Sequence, residues 1–160
     1  MAPGAPYQEG MIMIKASSLL FASALMLSPL LHAAEHESKT DMASKAPENA
    51  KLYIISPKDG EKVPRTFTVK FGLSGMGVAP AGVDSENTGH HHLLIDVDEM
   101  PDMSKPLPAS ENIIHFGGGQ TETQVTLPPG KHTLQLVLGN YMHVPHEKPV
   151  MSKKITIEVE

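Results

Sequence analysis

The chain has 160 residues, no cysteine and a formal net charge of −5 at neutral pH. The acidic balance excludes a basic surface of the kind that binds nucleic acid, and none is expected as a partner. The lack of cysteine excludes thiolate zinc sites, iron–sulfur clusters, covalently attached haem and blue-copper centres with a cysteine ligand.

The first 34 residues have the pattern of a secretory signal peptide. One lysine, Lys15, precedes an apolar run over residues 16–27, and small residues follow that run. The run is too short for a membrane span, and the true start of translation is expected at Met11 or Met13. We therefore predict cleavage near residue 34, a periplasmic or secreted mature protein, and no membrane span in that form.

The rest of the chain divides into a leader and one domain. Residues 35–50 are polar and charged, which predicts a flexible leader. Residues 51–160 alternate apolar and polar positions in short runs separated by Pro, Gly, Asn and Asp, as is typical of an all-β protein. Seven runs predict an immunoglobulin-like β-sandwich. They begin at Lys51, Thr66, His90, near Ile113, and at Thr121, His132 and Lys153.

Six of the seven histidines in this domain fall at strand ends that share one pole of such a sandwich. These six are His90, His91, His92, His115, His143 and His146. Side chains at positions i and i+2 of a strand point to the same side. His90 and His92 are therefore expected to face one ion, whereas His91 points toward the core. The seventh, His132, lies at the opposite end and is interpreted as structural.

Clustered imidazoles are typical ligands of transition metals. The predicted ligands are His90, His92, His115, His143 and His146, with His91, Met76 and Met142 as weaker candidates. The two methionines lie in loops at the same pole, and thioethers beside imidazoles favour copper, with zinc as the alternative. The competing interpretation is a polar pole in which the histidines only form hydrogen bonds.

Two other motifs carry weaker signals. The run over 96–103 lacks the calcium-loop pattern and is interpreted as a solvated acidic loop, with Met100 and Met103 as packing or surface residues. The glycines at 117–119 lack the lysine and the helix of a phosphate loop. They predict a bend or a close backbone approach near His115.

Several longer motifs resemble one family of bacterial exported proteins. They are GMGVAPAG, NTGHHHLLID, HFGGGQTE, LPPGKHTLQLVLGN and HVPHEKPVMS, between Gly72 and Ser152. Together they resemble the domain-of-unknown-function 4399 family. The resemblance implies a small exported protein and carries over no activity. Asn140 stands where the resemblance leads us to expect an acid, which weakens any role for a carboxylate there.

The leading hypothesis is a periplasmic metal-binding protein that stores, buffers or delivers copper. One alternative is a cell-envelope module whose histidine-rich loops bind another periplasmic protein or a glycan. A second alternative is a metal-dependent enzyme. No serine–histidine–acid order stands out in the sequence, so binding is favoured over catalysis, and enzymatic activity is left open.

Overall fold

The structure, a computed structural model, describes residues 42–160, which form nine strands. The strands are β1 (Lys51–Ser56), β2 (Lys62–Val63), β3 (Thr66–Ser74), β4 (Gly77–Val78), β5 (Thr88–Ile95), β6 (Ile113–His115), β7 (Glu122–Thr126), β8 (Gly130–Gly139) and β9 (Ile155–Val159). All seven predicted strands are present, and β2 and β4 are short additions. The signal peptide predicted over 1–34 lies outside the described residues. Over residues 42–160 there is no helix of the length and apolar character that a membrane crossing needs.

The strands form two sheets, which confirms the all-β prediction. A three-stranded sheet has the order β1-β3-β7, and a six-stranded sheet has the order β2-β9-β8-β5-β4 with β6 paired to β5. In the constant-type immunoglobulin arrangement the fourth strand joins the sheet of the first, second and fifth. Here the corresponding strand, β6, pairs antiparallel with β5 in the other sheet. This difference places β6 beside the histidine-bearing strand.

The main core lies between the two sheets and follows the two-residue period of the strands. On β3 the buried side chains include Val69 and Phe71, and on β8 they include Leu134 and Leu136. On β5 the side chain of Leu93 points into the same cluster. The alternation predicted for these strands is confirmed, because each set occupies every second position.

A second apolar cluster covers the opposite face of the six-stranded sheet. It contains Leu94 of β5, Val137 of β8, Ile113 of β6 and Leu107 of the β5–β6 loop. This loop folds back over the sheet, so β5 is buried on both faces. The side chains of β5 that share the parity of Leu94 therefore lie on a covered face rather than at the open end of the sandwich.

The described part of the predicted flexible leader differs from that prediction, because it contacts the domain. The Nδ2 group of Asn140 donates a hydrogen bond to the Met42 carbonyl oxygen at 2.8 Å. The backbone N–H of Glu147 donates to the Ser44 carbonyl oxygen at 3.0 Å. The carbonyl oxygens of Met42 and Ser44 are therefore held beside the β8–β9 loop by hydrogen bonds, which the polar composition did not reveal.

Candidate metal site

Four of the predicted ligands come together in one group. They are His90, His92, His115 and His143. Each offers a ring nitrogen, and these nitrogens all lie within 4.8 Å of one another. The group lies near the predicted end of the sandwich, but on the face of the six-stranded sheet that points away from the three-stranded sheet. The structure thus corrects the predicted location from the pole to the covered face.

Sheet geometry alone positions three of the four rings. His90 and His92 are two residues apart on β5, so they share a face, and their ring centroids are 4.8 Å apart. His115 of β6 is the direct cross-strand partner of His92. Paired residues on neighbouring strands project to the same side, and these two centroids are 5.1 Å apart.

A tight turn after β8 brings in the fourth ring. The side-chain oxygen of Asn140 accepts hydrogen bonds from the backbone N–H groups of Met142 and Val144, at 2.9 and 3.1 Å. Inside this turn His143 adopts a left-handed backbone with φ of 66°. Its Nδ1 atom lies 3.1 Å from Nε2 of His90. Asn140 therefore acts on the group indirectly, by fixing the turn that carries His143.

Two glycines leave the space that the rings fill. A Cβ atom on Gly139 would lie 2.8 Å from Cε1 of His92 and 3.3 Å from the Cα of His143. A Cβ atom on Gly117 would overlap the ring of His115. The close approach predicted near His115 from the glycine run is confirmed. The role of Gly139 was not predicted, although the Gly–Asn dipeptide at 139–140 is itself a turn signal.

The two strand histidines carry buried nitrogens without partners. His90 and His92 are 0% and 1% exposed. Nδ1 of His90 and both ring nitrogens of His92 have no hydrogen-bond partner within residues 42–160. A buried polar atom left unpaired costs about 1–3 kcal/mol. A metal ion bound through the lone pair of the neutral His92 ring offsets part of this cost, and in this respect the residues present fit a metal.

The same burial keeps these rings neutral. Burial, together with smaller repulsion from His115 and His143, lowers the pKa of His90 from 6.5 to about 4. Burial lowers the pKa of His92 to about 3, with repulsion from the neighbouring rings acting in the same direction. Metal ions bind the neutral imidazole, so at pH 7 both rings are in the form that a metal needs.

The donor set suits a transition metal. A tetrahedral ion with metal–nitrogen distances of about 2.0–2.1 Å places its ligand nitrogens about 3.3 Å apart. The His90 and His143 nitrogens are already 3.1 Å apart. The described group contains no carboxylate, which calcium and magnesium prefer. The four histidines could therefore hold a metal ion, and the exposed side chain of His115 brings the group to the surface.

His146, the fifth predicted ligand, lies outside the group. Its ring is buried, and Nδ1 lies 2.9 Å from the hydroxyl oxygen of Ser44. The turn that brings His143 to the group does not extend to His146, because the chain pairs again at Pro145 with Gly139. Position in the same loop was therefore an insufficient guide to position in the site.

His91 occupies the inner face, as its parity predicted. Its ring packs against Phe71 with centroids 5.1 Å apart. Burial lowers its pKa to about 4, an effect that the nearby Gln120 backbone partly offsets. Neither ring nitrogen has a hydrogen-bond partner of good geometry in the described part of the chain. His91 therefore contributes to the core and not to the four-histidine group.

The methionines predicted near the site give copper no structural support. Met76 packs against the main core between the sheets. Met142 precedes His143, but its described contact is the backbone hydrogen bond to Asn140. Met76 is therefore not a ligand of the group, which corrects the prediction for that residue. For Met142 the prediction still rests only on its position in the loop.

His132 has the structural role predicted for it. Its Nδ1 lies 2.6 Å from Oδ2 of Asp96, and its Nε2 lies 2.9 Å from the Pro128 carbonyl oxygen. Burial opposes protonation of this ring, but the hydrogen bonds and the charge of Asp96 outweigh it and raise the pKa of His132. The ring joins β8 to the end of β5, far along both strands from the four histidines.

Comparison with known proteins identifies a family but no activity. No curated protein matches. One solved structure, the endo-beta-1,4-mannanase from Thermotoga petrophila, is 18% identical with a TM-score of 0.42, covering 69% of this chain and 20% of that chain. This chain therefore spans only a fifth of the mannanase, and a likeness of this size carries no conclusion. The family model described as Domain of unknown function (DUF4399) matches residues 69–160, more than half of the chain, so the protein belongs to the DUF4399 family.

Proposed function

We propose that this protein binds one copper ion through His90, His92, His115 and His143, and that it stores, buffers or delivers copper in the periplasm. The observation that carries the proposal is the buried, neutral ring of His92, which has no hydrogen-bond partner at either nitrogen within residues 42–160, in a group of four imidazoles that each offer a nitrogen within 4.8 Å of the others. The competing interpretation is a polar cluster held by hydrogen bonds, and it accounts for the contact between His90 and His143. It leaves both ring nitrogens of His92 without hydrogen-bond partners among the residues that the structure describes.

Copper is favoured over zinc by general affinity rather than by thioether ligands. For a given set of nitrogen donors, divalent copper binds more tightly than the other first-row divalent ions, zinc included. The ligand set is all imidazole, so we propose the divalent ion as the one held. Zinc, which also accepts four imidazoles, is the alternative.

The proposed role is exchange rather than permanent structural binding. Structural metal sites are closed, with all ligands enclosed by the fold. Here burial falls from His90 and His92 through the half-buried His143 to the exposed His115. An ion at this group would be reached from solvent on the His115 side, as storage and delivery require. The periplasmic location is supported by the signal-peptide pattern.

The decisive experiment measures the metal content of the untagged protein by elemental mass spectrometry, after titration with copper or zinc and desalting. We expect about one equivalent of copper in the wild type and none in the His90→Ala/His92→Ala variant. The matched control is His91→Leu, which changes the same strand on its other face and should retain the ion. Circular dichroism establishes whether each variant is folded.

Because the double variant removes two buried side chains, His115→Ala provides a second test. His115 is exposed, so its loss should leave the fold intact and weaken copper binding by at least tenfold. A wild-type protein that retains neither metal would overturn the proposal, as would a His115→Ala variant with unchanged affinity. Equimolar competition between copper and zinc decides the identity of the ion, and fractionation of expressing cells tests the location.

A further inference from the structure

His146 is a buried histidine with one nitrogen committed and the other unpaired. The ring is 2% exposed. Its Nδ1 contacts both oxygens of Ser44, the hydroxyl at 2.9 Å and the carbonyl at 3.2 Å. A carbonyl oxygen only accepts hydrogen bonds, so Nδ1 carries the proton, and the lone pair of the neutral ring lies on Nε2. Within residues 42–160 that atom has no hydrogen-bond partner.

This arrangement has the features of a metal ligand. Histidines that bind metals commonly donate their other ring N–H to a backbone carbonyl, which fixes the tautomer and the orientation of the ring. Ser44 supplies that carbonyl from the segment that runs beside the β8–β9 loop. Burial also lowers the pKa of His146, which favours the neutral ring.

A methionine lies on the same surface depression as this histidine. The depression has a volume of about 380 Å³, and its lining includes Met103, His146 and Glu147. Met103 is half-buried and packs against the outer apolar cluster of Leu94 and its neighbours.

The position of Met103 is fixed by the turn that carries it. Oδ1 of Asp102 accepts hydrogen bonds from the backbone N–H and the hydroxyl of Ser104, at 3.0 and 2.6 Å. Lys105 closes the turn with a 3.0 Å ion pair to Asp102. The backbone that carries Met103 and the ring of His146 are therefore both held in place by contacts within the fold.

We propose that Met103 and His146 form a second metal site, separate from the four-histidine group, that binds a soft monovalent ion of the Cu(I) class. A thioether and a neutral imidazole are the donors that such an ion prefers, and they discriminate against magnesium, calcium and manganese. The site uses a different oxidation state and different side chains from the four-histidine group. It therefore does not depend on the function proposed for that group.

Silver(I), which shares the ligand preferences of Cu(I) and stays monovalent, is the probe. The full protein carries ¹³C-methyl methionine and ¹⁵N-labelled histidine, and silver nitrate is added while methyl and ring-nitrogen resonances are recorded by NMR. The spectrum of Met103→Leu assigns the Met103 signal, and Met100→Leu is the matched control, since Met100 packs on the same cluster but does not line the depression. Competition with a silver chelator, followed through the Nε2 resonance of His146, gives the affinity of each variant at this site.

We expect the Met103 methyl resonance to shift and to saturate near one equivalent of silver, together with the Nε2 resonance of His146. Met103→Leu should weaken this binding by at least tenfold, and Met100→Leu by less than twofold. A Met103 signal unmoved at excess silver would overturn the proposal, and so would equal affinities of the two leucine variants. Because the reporters are the Met103 methyl group and the His146 ring nitrogen, failure of the four histidines to bind copper leaves this readout unaffected.

Discussion

Replacement of Gly139 by alanine tests whether the space between β8 and the histidines is needed for metal binding. The added Cβ would lie 2.8 Å from Cε1 of His92, whereas ordinary contact begins at 3.4 Å. The His92 ring must therefore move by about 0.6 Å, and the 3.3 Å contact with the His143 backbone prevents Gly139 from moving away instead. Overpacking of this kind costs about 1–3 kcal/mol of folding stability.

The larger consequence is for the ion, because a displaced ligand loses its alignment. Changes to groups that orient metal ligands typically weaken binding by about 10–100-fold, and we expect a loss of copper affinity in this range for Gly139→Ala. Competition with a chromogenic chelator measures the affinity, and thermal unfolding measures the stability. Gly77→Ala is the control, since its Cβ would meet the Thr88 methyl group at 3.3 Å and the Asn87 carbonyl oxygen at 4.0 Å, neither of which belongs to the four-histidine group. Copper affinity within threefold of wild type in a folded Gly139→Ala protein would refute the reasoning.

Three further outcomes follow from the buried and paired histidines. His91→Leu should raise stability at pH 7 by about 1 kcal/mol, because it removes unpaired buried nitrogens. In the wild type the unfolded chain protonates at this residue near pH 6.5 and the folded one near 4, so stability falls as the pH drops through this window. Chemical denaturation should show that the difference in folding stability between His91→Leu and the wild type grows by about 3 kcal/mol between pH 6.5 and 4. Copper should be retained at pH 5.5, where an ordinary histidine is protonated, and released toward pH 4 and below. The reason is that the pKa values of His90 and His92 in the folded protein are about 4 and 3. Dialysis at stepped pH followed by elemental analysis checks this. Because the pKa of His132 is raised in the folded protein, its protonated ring stabilises the fold below pH 6.5, and this contribution is lost as the pH rises through the folded pKa. The loss of folding stability in His132→Gln should therefore be larger at pH 6 than at pH 9. It should stay below about 1 kcal/mol, because the Asp96 side chain is 39% exposed.

Sequence reasoning located the strands and the shared face of His90 and His92, because both depend on the two-residue period of a strand. His115 was placed correctly at the same end because antiparallel strands return the chain to where it started. The two-residue period does not predict which strand β6 pairs with. A three-residue strand has too few side chains to favour one neighbour over another, and packing of Ile113 on Leu94 decides it.

The loop residues show where local information ends. His143 and His146 are three positions apart in one loop, and the sequence assigned both to one site. Their separation depends on the turn around Asn140 and on Ser44, which lies 102 positions from His146 in the chain. A contact across that distance leaves no periodic signal in the sequence.

By itself the sequence determined an all-β domain, the parity of its strands and the absence of sulfur ligands from cysteine, because these follow from residue type and from the geometry of an extended chain. Only the tertiary structure decided that the histidines lie on a covered sheet face, that Gly139 and Gly117 leave room for their rings, and that His146 lies apart from the group, at a depression that Met103 also lines. Those features arise from contacts between segments far apart in the chain, and the energies that select them come from burial and hydrogen bonding in the assembled fold.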